Sequence, residues 1–220
     1  MKKIFTGVYR IGKNIATINN VRGFRVYDEG LVNVKDVEYR TWSPYRSKLA
    51  AAIHKGLKKF PFKENSNVLY LGASSGTTAS HISDICFNGN IYCVEISKRM
   101  MRELIPVAEK KENIIPILAD ANHPEVYIHK VTNVNIIYQD VAQPNQADIL
   151  ERNSEFFHPE NAIIAIKARS INTIESPKKV FKKEINRLKE RFHILETIDL
   201  KPYDKDHILV NLKSKNKIKK

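Results

Sequence analysis

The sequence predicts an α/β protein with a mostly parallel, doubly wound sheet of about seven strands and a small N-terminal β-hairpin unit. From residue 67 onward, short apolar runs alternate with amphipathic segments, a pattern typical of parallel strands with helices on both faces. Before residue 41, β-branched and aromatic residues are broken by glycine and asparagine, which is typical of short strands and hairpins. Hydrophobic residues make up 42% of the 220 residues, enough for one sizeable core.

The N-terminal elements follow from the β-rich segments. We expect strands within residues 4–12, 14–19, 23–30 and 31–40. The alanine-, leucine- and lysine-rich stretch at 46–59 then predicts a helix. We therefore divide the chain into a β-rich unit at 1–40, a main domain at 41–214 and a basic tail at 215–220.

The main domain alternates strands with helices. The expected strands are 67–72, 91–96, 113–118, 134–141 and 161–168. The expected helices are 77–86, 97–111, 146–157 and 176–192. Ser97 and Pro177 stand at helix starts, where these residue types are favoured. The last two strands, 192–200 and 207–212, are joined by a short link and are expected to pair antiparallel.

The formal charge of +13 is unevenly distributed. Residues 1–60 and 161–220 each carry a net +9, whereas residues 61–160 carry −5. Basic surfaces attract polyanions, and nucleic acid is the obvious cellular polyanion; the alternative is a lysine-rich surface that is merely solvated. The apolar runs are too short to span a membrane, and we expect no secretory signal in the opening residues. Two cysteines without metal or redox spacing fit a reducing, intracellular compartment.

A glycine loop opens the first helix of the alternating region. Gly72 and Gly76 are separated by three residues, so the loop matches neither the dinucleotide fingerprint nor the phosphate-binding loop that ends in lysine. It is similar to the looser loop of class I methyltransferases, whose ligand is S-adenosylmethionine. A loop of this kind brings backbone N–H groups close to a ligand at the helix N-terminus.

Acidic residues end three successive strands of this region. Glu95 lies 23 residues beyond Gly72, where a carboxylate accepts hydrogen bonds from ribose hydroxyls. Asp120 follows the third strand, where it is expected to receive an adenine amino group, and Asp140 follows the fourth. Ligands of open α/β sheets bind beyond the carboxyl ends of the strands. The alternative is that each acid caps the helix that follows it.

Two lysines stand out from the solvated majority. Lys167 closes an apolar strand, and Lys48 begins the alanine-rich helix. A lysine with desolvating neighbours can act as a general base, and Asp140 is placed to hold such a lysine by a charged hydrogen bond. His207 precedes the final strand. The alternative is that these lysines are surface residues. The histidines show no metal-ligand spacing, so we expect no metal.

The segment at residues 40–48 interleaves basic and aromatic side chains. RNA-binding surfaces use both, arginine for phosphates and aromatic rings for bases. The structural alternative is that Trp42 and Tyr45 pack the hairpin unit against the main domain.

Seven segments in order carry a resemblance to a known family: YRTWSPYRSKLAAAI, VLYLGASSGTTASHISDI, VEIS, ILADANHP, IYQDVAQPNQADI, AIKARSI and PYDKDH. Over residues 38–212 the chain resembles archaeal fibrillarins, the methyltransferases of box C/D guide-RNA particles. The resemblance implies a class I methyltransferase fold and S-adenosylmethionine as cofactor. Ile96 departs from the phenylalanine often found in the family, and Asn122 from a frequent arginine.

The resemblance also assigns site residues. The implied catalytic set is Lys48, Asp140, Lys167 and His207. The implied cofactor contacts are Gly72, Ala73, Gly76, Thr77, Thr78, Glu95, Ile96, Asp120, Ala121, Asp140, Val141, Ala142 and Gln143. RNA contacts are expected at Arg46, Lys48 and Arg169.

The implied substrates are ribose 2′-hydroxyls of ribosomal RNA and, in archaea, also transfer RNA, with the site selected by a guide RNA. The implied protein partners are a coiled-coil scaffold protein and a kink-turn-binding ribosomal-type protein. We expect a cytoplasmic protein without membrane association. The Gly/Arg-rich extension that targets eukaryotic relatives to the nucleolus is absent from the sequence.

The expected reaction is an in-line attack of a ribose 2′-oxygen on the sulfonium methyl. Lys167 is the expected base and Lys48 the expected cation, and the opposite assignment of the two roles stays open. Three alternatives stay open: a nicotinamide-dependent oxidoreductase, against which the glycine spacing speaks; a non-catalytic RNA-binding subunit with a retained cofactor fold; and a protein glutamine methyltransferase.

Overall fold

The computed structural model describes residues 1–215 and contains two β-sheets. The predicted basic tail lies outside the described residues beyond position 215. Within the described part of the chain, no helix is both long and apolar enough to cross a membrane.

The N-terminal sheet has five antiparallel strands in the order β1-β2-β3-β5-β4. The strands are β1 (Lys2–Phe5), β2 (Val8–Ile11), β3 (Asn14–Ile18), β4 (Leu31–Val34) and β5 (Val37–Trp42). The strand expected at 23–30 is wrong, because this segment is a loop. The Glu29 carboxylate accepts hydrogen bonds from the Val26 and Tyr27 amides, and such local side-chain bonds compete with strand pairing.

The main sheet has seven strands, as expected, in the order β11-β12-β10-β9-β6-β7-β8. These are β6 (Val68–Leu71), β7 (Ile91–Glu95), β8 (Ile114–Leu118), β9 (Ile136–Gln139), β10 (Asn161–Lys167), β11 (Phe192–Asp199) and β12 (His207–Ser214). Strands β6 to β10 are parallel, and β12 pairs antiparallel with both β10 and β11. The antiparallel pairing expected for the last two strands is confirmed.

Within residues 1–215, six α-helices accompany the strands: α1 (Lys48–His54), α2 (Thr77–Ile85), α3 (Lys98–Lys110), α4 (Gln146–Phe157), α5 (Ala168–Ile171) and α6 (Pro177–Leu188). Helix α1 is shorter than the expected 46–59. It starts after Ser47, whose side chain caps the Ala50 amide. It ends just before Gly56, whose φ of +93° is incompatible with continued helix.

Two apolar cores flank the main sheet. One contains residues of the N-terminal sheet, α1, α2 and α3, including Trp42, Leu49, Ile82 and Leu104. The other lies under α4 and α6. The N-terminal sheet packs against α2 and so fixes the position of this helix, which begins at the glycine loop.

A buried polar network joins the N-terminal sheet to the main domain. Arg40, with no side-chain exposure, pairs with Glu29 at 2.8 Å and with Asp84 of α2 at 2.9 Å. Lys111 reaches the other oxygen of Asp84. Two cations and two anions therefore balance inside the protein, which is the condition for burying such charges.

His81 of α2 lies beside this network. Trp42 stacks on its ring at 4.7 Å, and its two ring nitrogens contact the Thr17 and Tyr27 hydroxyls at 2.8 Å each. Burial, together with the charges of Arg40 and Lys111, holds the pKa of His81 well below its usual value. The ring is therefore a neutral packing element. Trp42 thus packs the N-terminal sheet onto the main domain, which agrees with the structural alternative for Trp42 but not for Tyr45, whose ring is 73% exposed.

Candidate active site

The crossover of the main sheet defines one ligand-binding edge. Strands β6 and β9 are neighbours although β7 and β8 separate them in sequence. Ligands of open α/β sheets bind at such a switch point, beyond the carboxyl ends of the strands. Glu95 and Lys167 are the last residues of β7 and β10, and Asp140 follows β9 directly. These side chains therefore share this edge.

The glycine loop requires glycine at both of its ends. Gly72 has φ +80°, and a Cβ there would lie 2.9 Å from the Asp140 carbonyl oxygen. Gly76 has φ +90° and precedes α2, where a Cβ would lie 2.8 Å from Leu104 Cδ1. Side chains at these positions would combine a strained backbone with a steric clash. The loop therefore packs directly on the segment that carries Asp140.

Glu95 is buried and held by backbone amides. Its Oε2 accepts the Ser74 amide and its Oε1 accepts the Ser97 amide, both at 2.8 Å. Each carboxylate oxygen has further acceptor capacity, so Glu95 is oriented without being saturated. The neighbouring Ile96 side chain is 56% exposed and offers an apolar surface beside this carboxylate.

Asp120 belongs to a second polar group at the same edge. Its Oδ1 accepts both the Asn122 amide and the Asn122 side chain. Asn122 also donates to Gln143 at 2.9 Å. Burial raises the pKa of Asp120, but hydrogen bonds from Asn122 and Gln143 outweigh this effect and bring it below its usual value. Asp120 is therefore a carboxylate at neutral pH.

The other residues assigned to the cofactor flank these groups. Thr78 is buried and donates its hydroxyl to Ser47 at 2.9 Å, which ties α2 to the start of α1. Thr77 opens α2 and is half-buried. Ala73 and Ala121 are buried, as is Val141, whereas Ala142 is exposed and Gln143 half-buried.

Asp140 is the shared partner of two lysines. Lys167 Nζ lies 2.8 Å from Asp140 Oδ1 and donates to the Asp140 carbonyl oxygen at 2.9 Å. Lys48 Nζ lies 3.2 Å from each carboxylate oxygen of Asp140. All three side chains are between 14% and 19% exposed. The site thus presents two amines beside one carboxylate, in a partly desolvated place.

Local structure fixes both lysines. Lys48 is the first residue of α1, directly after the capping Ser47. Lys167 is anchored through its backbone, since its amide donates to Gln146 Oε1 at 3.0 Å and Gln146 is fully buried. The Asp140 amide donates to the Leu71 carbonyl at 2.9 Å. The three side chains are therefore supported by three different elements.

Asp204 is a member of this cluster that sequence reasoning missed. Its Oδ2 lies 3.6 Å from Lys48 Nζ, and its Oδ1 lies 2.8 Å from His207 Nδ1. His207 does not touch Asp140 or either lysine among the contacts of the described residues, and it joins them through Asp204. The available signal was the segment PYDKDH, in which Asp204 stands three residues before His207.

The basic residues expected to contact RNA lie near this edge with different partners. Arg46 is exposed, and its guanidinium carbon lies 5.7 Å from the centre of the Tyr27 ring. Arg169 donates to Asp206 at 3.1 Å and to the Thr173 carbonyl at 2.8 Å. Tyr45 is 73% exposed and meets Tyr203 edge-on at 5.2 Å. Trp42 is a core residue, whereas Tyr45 presents its ring to solvent.

The doubly wound seven-stranded sheet, with a glycine loop and acids at the strand ends, defines the fold of a class I methyltransferase. A model of the family described as Fibrillarin matches residues 1–216. The chain belongs to the fibrillarin family.

Individual relatives agree with this assignment. The fibrillarin-like rRNA/tRNA 2′-O-methyltransferase of Methanocaldococcus jannaschii is 48% identical over 217 residues, covering 95% of this chain and 94% of that protein. The structure of Aeropyrum pernix fibrillarin, in complex with natively bound S-adenosyl-L-methionine, matches with a TM-score of 0.84 at 48% identity, over 90% of this chain and 88% of that one. A fibrillarin from a fibrillarin/Nop5p complex matches with a TM-score of 0.90 at 39% identity, over 97% of this chain and all of that one.

Proposed function

We propose that this protein transfers a methyl group from S-adenosylmethionine to ribose 2′-hydroxyls of ribosomal and transfer RNA, as the catalytic subunit of a box C/D guide particle. The observation that carries the proposal is the cluster of Lys48, Asp140 and Lys167 packed against the glycine loop at the switch point of the sheet. The printed activity of the M. jannaschii relative supports the same reaction.

The residues present fit this cofactor. Glu95 has spare acceptor capacity for two ribose hydroxyls, and Asp120 is a carboxylate suited to an exocyclic amino group. Ile96 offers an apolar surface for a base. Helix α2 has no side-chain cap at Gly76, so its first-turn amides suit the cofactor's carboxylate. The A. pernix relative binds this molecule.

The cluster supplies the proton chemistry. Bound S-adenosylmethionine supplies an activated methyl group, and the remaining difficulty is the weakly acidic ribose hydroxyl. A neutral lysine accepts its proton, and a charged lysine stabilises the developing negative charge on oxygen. Asp140 holds both amines near one point. Correct alignment of the hydroxyl with the methyl group is itself worth roughly 7–11 kcal/mol.

We infer that target choice depends on partners. Nop5p, found in complex with a related fibrillarin, is the kind of scaffold protein we expect here. A guide RNA would select the nucleotide by base pairing, and a kink-turn-binding ribosomal-type protein would hold that RNA. We place this particle in the cytoplasm of an archaeal cell.

Methyl transfer from labelled S-adenosylmethionine tests the proposal. We expect incorporation into target RNA when the chain is assembled with guide RNA, the scaffold protein and the kink-turn-binding protein. The chain alone should leave free RNA unlabelled. Absence of transfer by the assembled particle, with cofactor bound, would favour a non-catalytic RNA-binding subunit. Labelled glutamine in a protein would favour a protein glutamine methyltransferase.

Glu95→Ala should weaken cofactor binding at least tenfold, because each hydrogen bond to a charged group contributes about 1.5–3 kcal/mol. Calorimetric titration with S-adenosylmethionine measures the effect. Glu103→Ala is the matched control, since Glu103 is an exposed acid of α3. Unchanged affinity in a folded Glu95→Ala protein would refute the ribose role of Glu95.

Tyr45→Ala should weaken engagement of target RNA by roughly 5- to 100-fold, because stacking of a base on an aromatic ring contributes about 1–3 kcal/mol. The melting temperature should change little, since the Tyr45 ring is largely exposed. Phe87→Ala provides a control, because Phe87 is 49% exposed and follows α2 at its opposite end. The measurement is the RNA concentration for half-maximal methylation. Equal values for the two variants would contradict the stacking role.

A further inference from the structure

We propose that Asp204 is a positioning residue that makes the two lysines unequal: it holds Lys48 as the cation and so leaves Lys167 as the base. This inference rests on the proposed methyl transfer. It assigns separate roles to two amines that both contact Asp140.

The turn that carries Asp204 is well anchored. The amides of Tyr203 and Asp204 both donate to the Leu200 carbonyl oxygen, at 2.9 and 3.2 Å. Leu200 is fully buried, and its own amide donates to the His207 carbonyl oxygen at 3.2 Å. The link between β11 and β12 is thus closed at its base, and the Asp204 carboxylate projects from a fixed backbone.

The two lysines have different surroundings. Lys48 Nζ lies between two carboxylates, 3.2 Å from Asp140 and 3.6 Å from Asp204. Lys167 Nζ has one carboxylate at 2.8 Å and, as its second acceptor, the neutral carbonyl oxygen of Asp140. Two negative charges therefore face Lys48 and one faces Lys167. Because a second anion favours the charged amine, the site is biased towards a cationic Lys48.

The numbers of N–H groups on the two lysines lead to the same assignment of base and cation. A neutral Lys167 has two N–H groups, of which one donates to the Asp140 carbonyl oxygen, and its lone pair remains to take a proton. A charged Lys48 has three N–H groups. Two face Asp140 and Asp204, and the third remains for the substrate oxygen.

Asp204 also orients His207. His207 Nδ1 lies 2.5 Å from the Lys205 carbonyl oxygen and 2.8 Å from Asp204 Oδ1. Both partners are acceptors when Asp204 is ionised, so Nδ1 carries the proton. One carboxylate thus fixes the tautomer and orientation of the ring and the position of the Lys48 ammonium.

In the resulting step, the 2′-oxygen bonds to the methyl carbon while the carbon–sulfur bond breaks and its electron pair stays on sulfur. The hydroxyl proton passes to Lys167 Nζ. The charge that develops on oxygen before this transfer is complete is stabilised by Lys48. The sulfonium charge disappears and one ammonium charge appears, so the net charge of the site is conserved.

Arginine substitutions test the assignment, because arginine keeps its positive charge and does not act as a base in proteins. In the assembled particle, Lys48→Arg should retain single-turnover methyl transfer within about tenfold. Lys167→Arg should lose roughly 100- to 10,000-fold, the usual contribution of a general base. Affinity for S-adenosylmethionine and the melting temperature are measured in parallel, and Lys167→Gln replaces Lys167→Arg if the latter does not fold.

Asp204→Asn should slow single turnover roughly 10- to 100-fold, as expected for a misplaced catalytic group, with unchanged affinity for cofactor and RNA. Asp204→Glu should restore part of the rate. When combined with Lys48→Arg, Asp204→Asn should slow turnover less, because arginine needs no carboxylate to stay charged. Asp36→Asn is the control, since Asp36 is an exposed acid in the turn between β4 and β5.

An active Lys167→Arg with an inactive Lys48→Arg would overturn the assignment by exchanging the roles. An Asp204→Asn rate equal to that of Asp36→Asn would remove the positioning role of Asp204. The positioning role would also be removed if Asp204→Asn slowed turnover by the same factor in the presence and in the absence of Lys48→Arg. Failure of the unmodified particle to methylate RNA would instead overturn the proposed function, and this inference with it.

Discussion

Lys167→Ala should stop methyl transfer almost completely while leaving the affinity for S-adenosylmethionine within a few-fold. Lys167 ends β10 and contacts Asp140 through both the side chain and the carbonyl of that residue. Alanine removes the amine that accepts the hydroxyl proton, and loss of a general base costs roughly 100- to 10,000-fold in rate. Single-turnover transfer in the assembled particle and calorimetric titration of the cofactor separate the two effects.

Lys178→Ala is the matched control for this experiment. Lys178 is an exposed lysine in the first turn of α6, and its removal changes the net charge equally. It should methylate at the normal rate. A normal rate for Lys167→Ala as well would exclude Lys167 as the base, whereas loss of cofactor binding would indicate damage to the loop region.

Arg40→Met should destabilise the folded protein by about 3–5 kcal/mol, the usual loss when one partner of a buried ion pair is removed. Methionine leaves Glu29 and Asp84 with one cation, Lys111, where two were present. An uncompensated carboxylate would then remain buried at the junction of the two sheets. Urea unfolding followed by circular dichroism measures the change.

Arg25→Met provides the comparison, because Arg25 is exposed in the loop between β3 and β4, and surface substitutions usually change stability by less than about 0.5 kcal/mol. We expect Arg40→Met to lose methylation at the temperature at which it unfolds. Similar unfolding midpoints for the two variants would contradict the role of the buried network in joining the N-terminal sheet to α2.

The main sheet could be predicted because its signal is local and repeated. Parallel strands covered on both faces are apolar along their whole length, as in residues 161–167, and the helices between them are amphipathic. The loop at 23–30 could not be predicted from its β-rich composition. Its conformation depends on Glu29, whose carboxylate also pairs with Arg40 from a neighbouring strand.

The residues of the candidate site differ in the same way: those at strand ends could be predicted from the sequence, and the one on a turn could not. Glu95 and Lys167 end parallel strands and Asp140 directly follows one, and the carboxyl ends of such strands meet at one edge of the sheet. Asp204 lies on a turn far from Lys48 in sequence, and their contact exists only because β12 returns antiparallel beside β10. Among the aromatic residues at 40–48, Trp42 is buried and Tyr45 is exposed, and composition alone does not predict this difference.

The most direct test of the account compares two target RNAs in the assembled particle, identical except that one carries 2′-deoxyribose at the guided nucleotide. We predict labelled methyl transfer to the ribose target, at that nucleotide alone, and none to the deoxyribose target. Equal incorporation into both RNAs would contradict ribose 2′-O-methylation as the function of this protein.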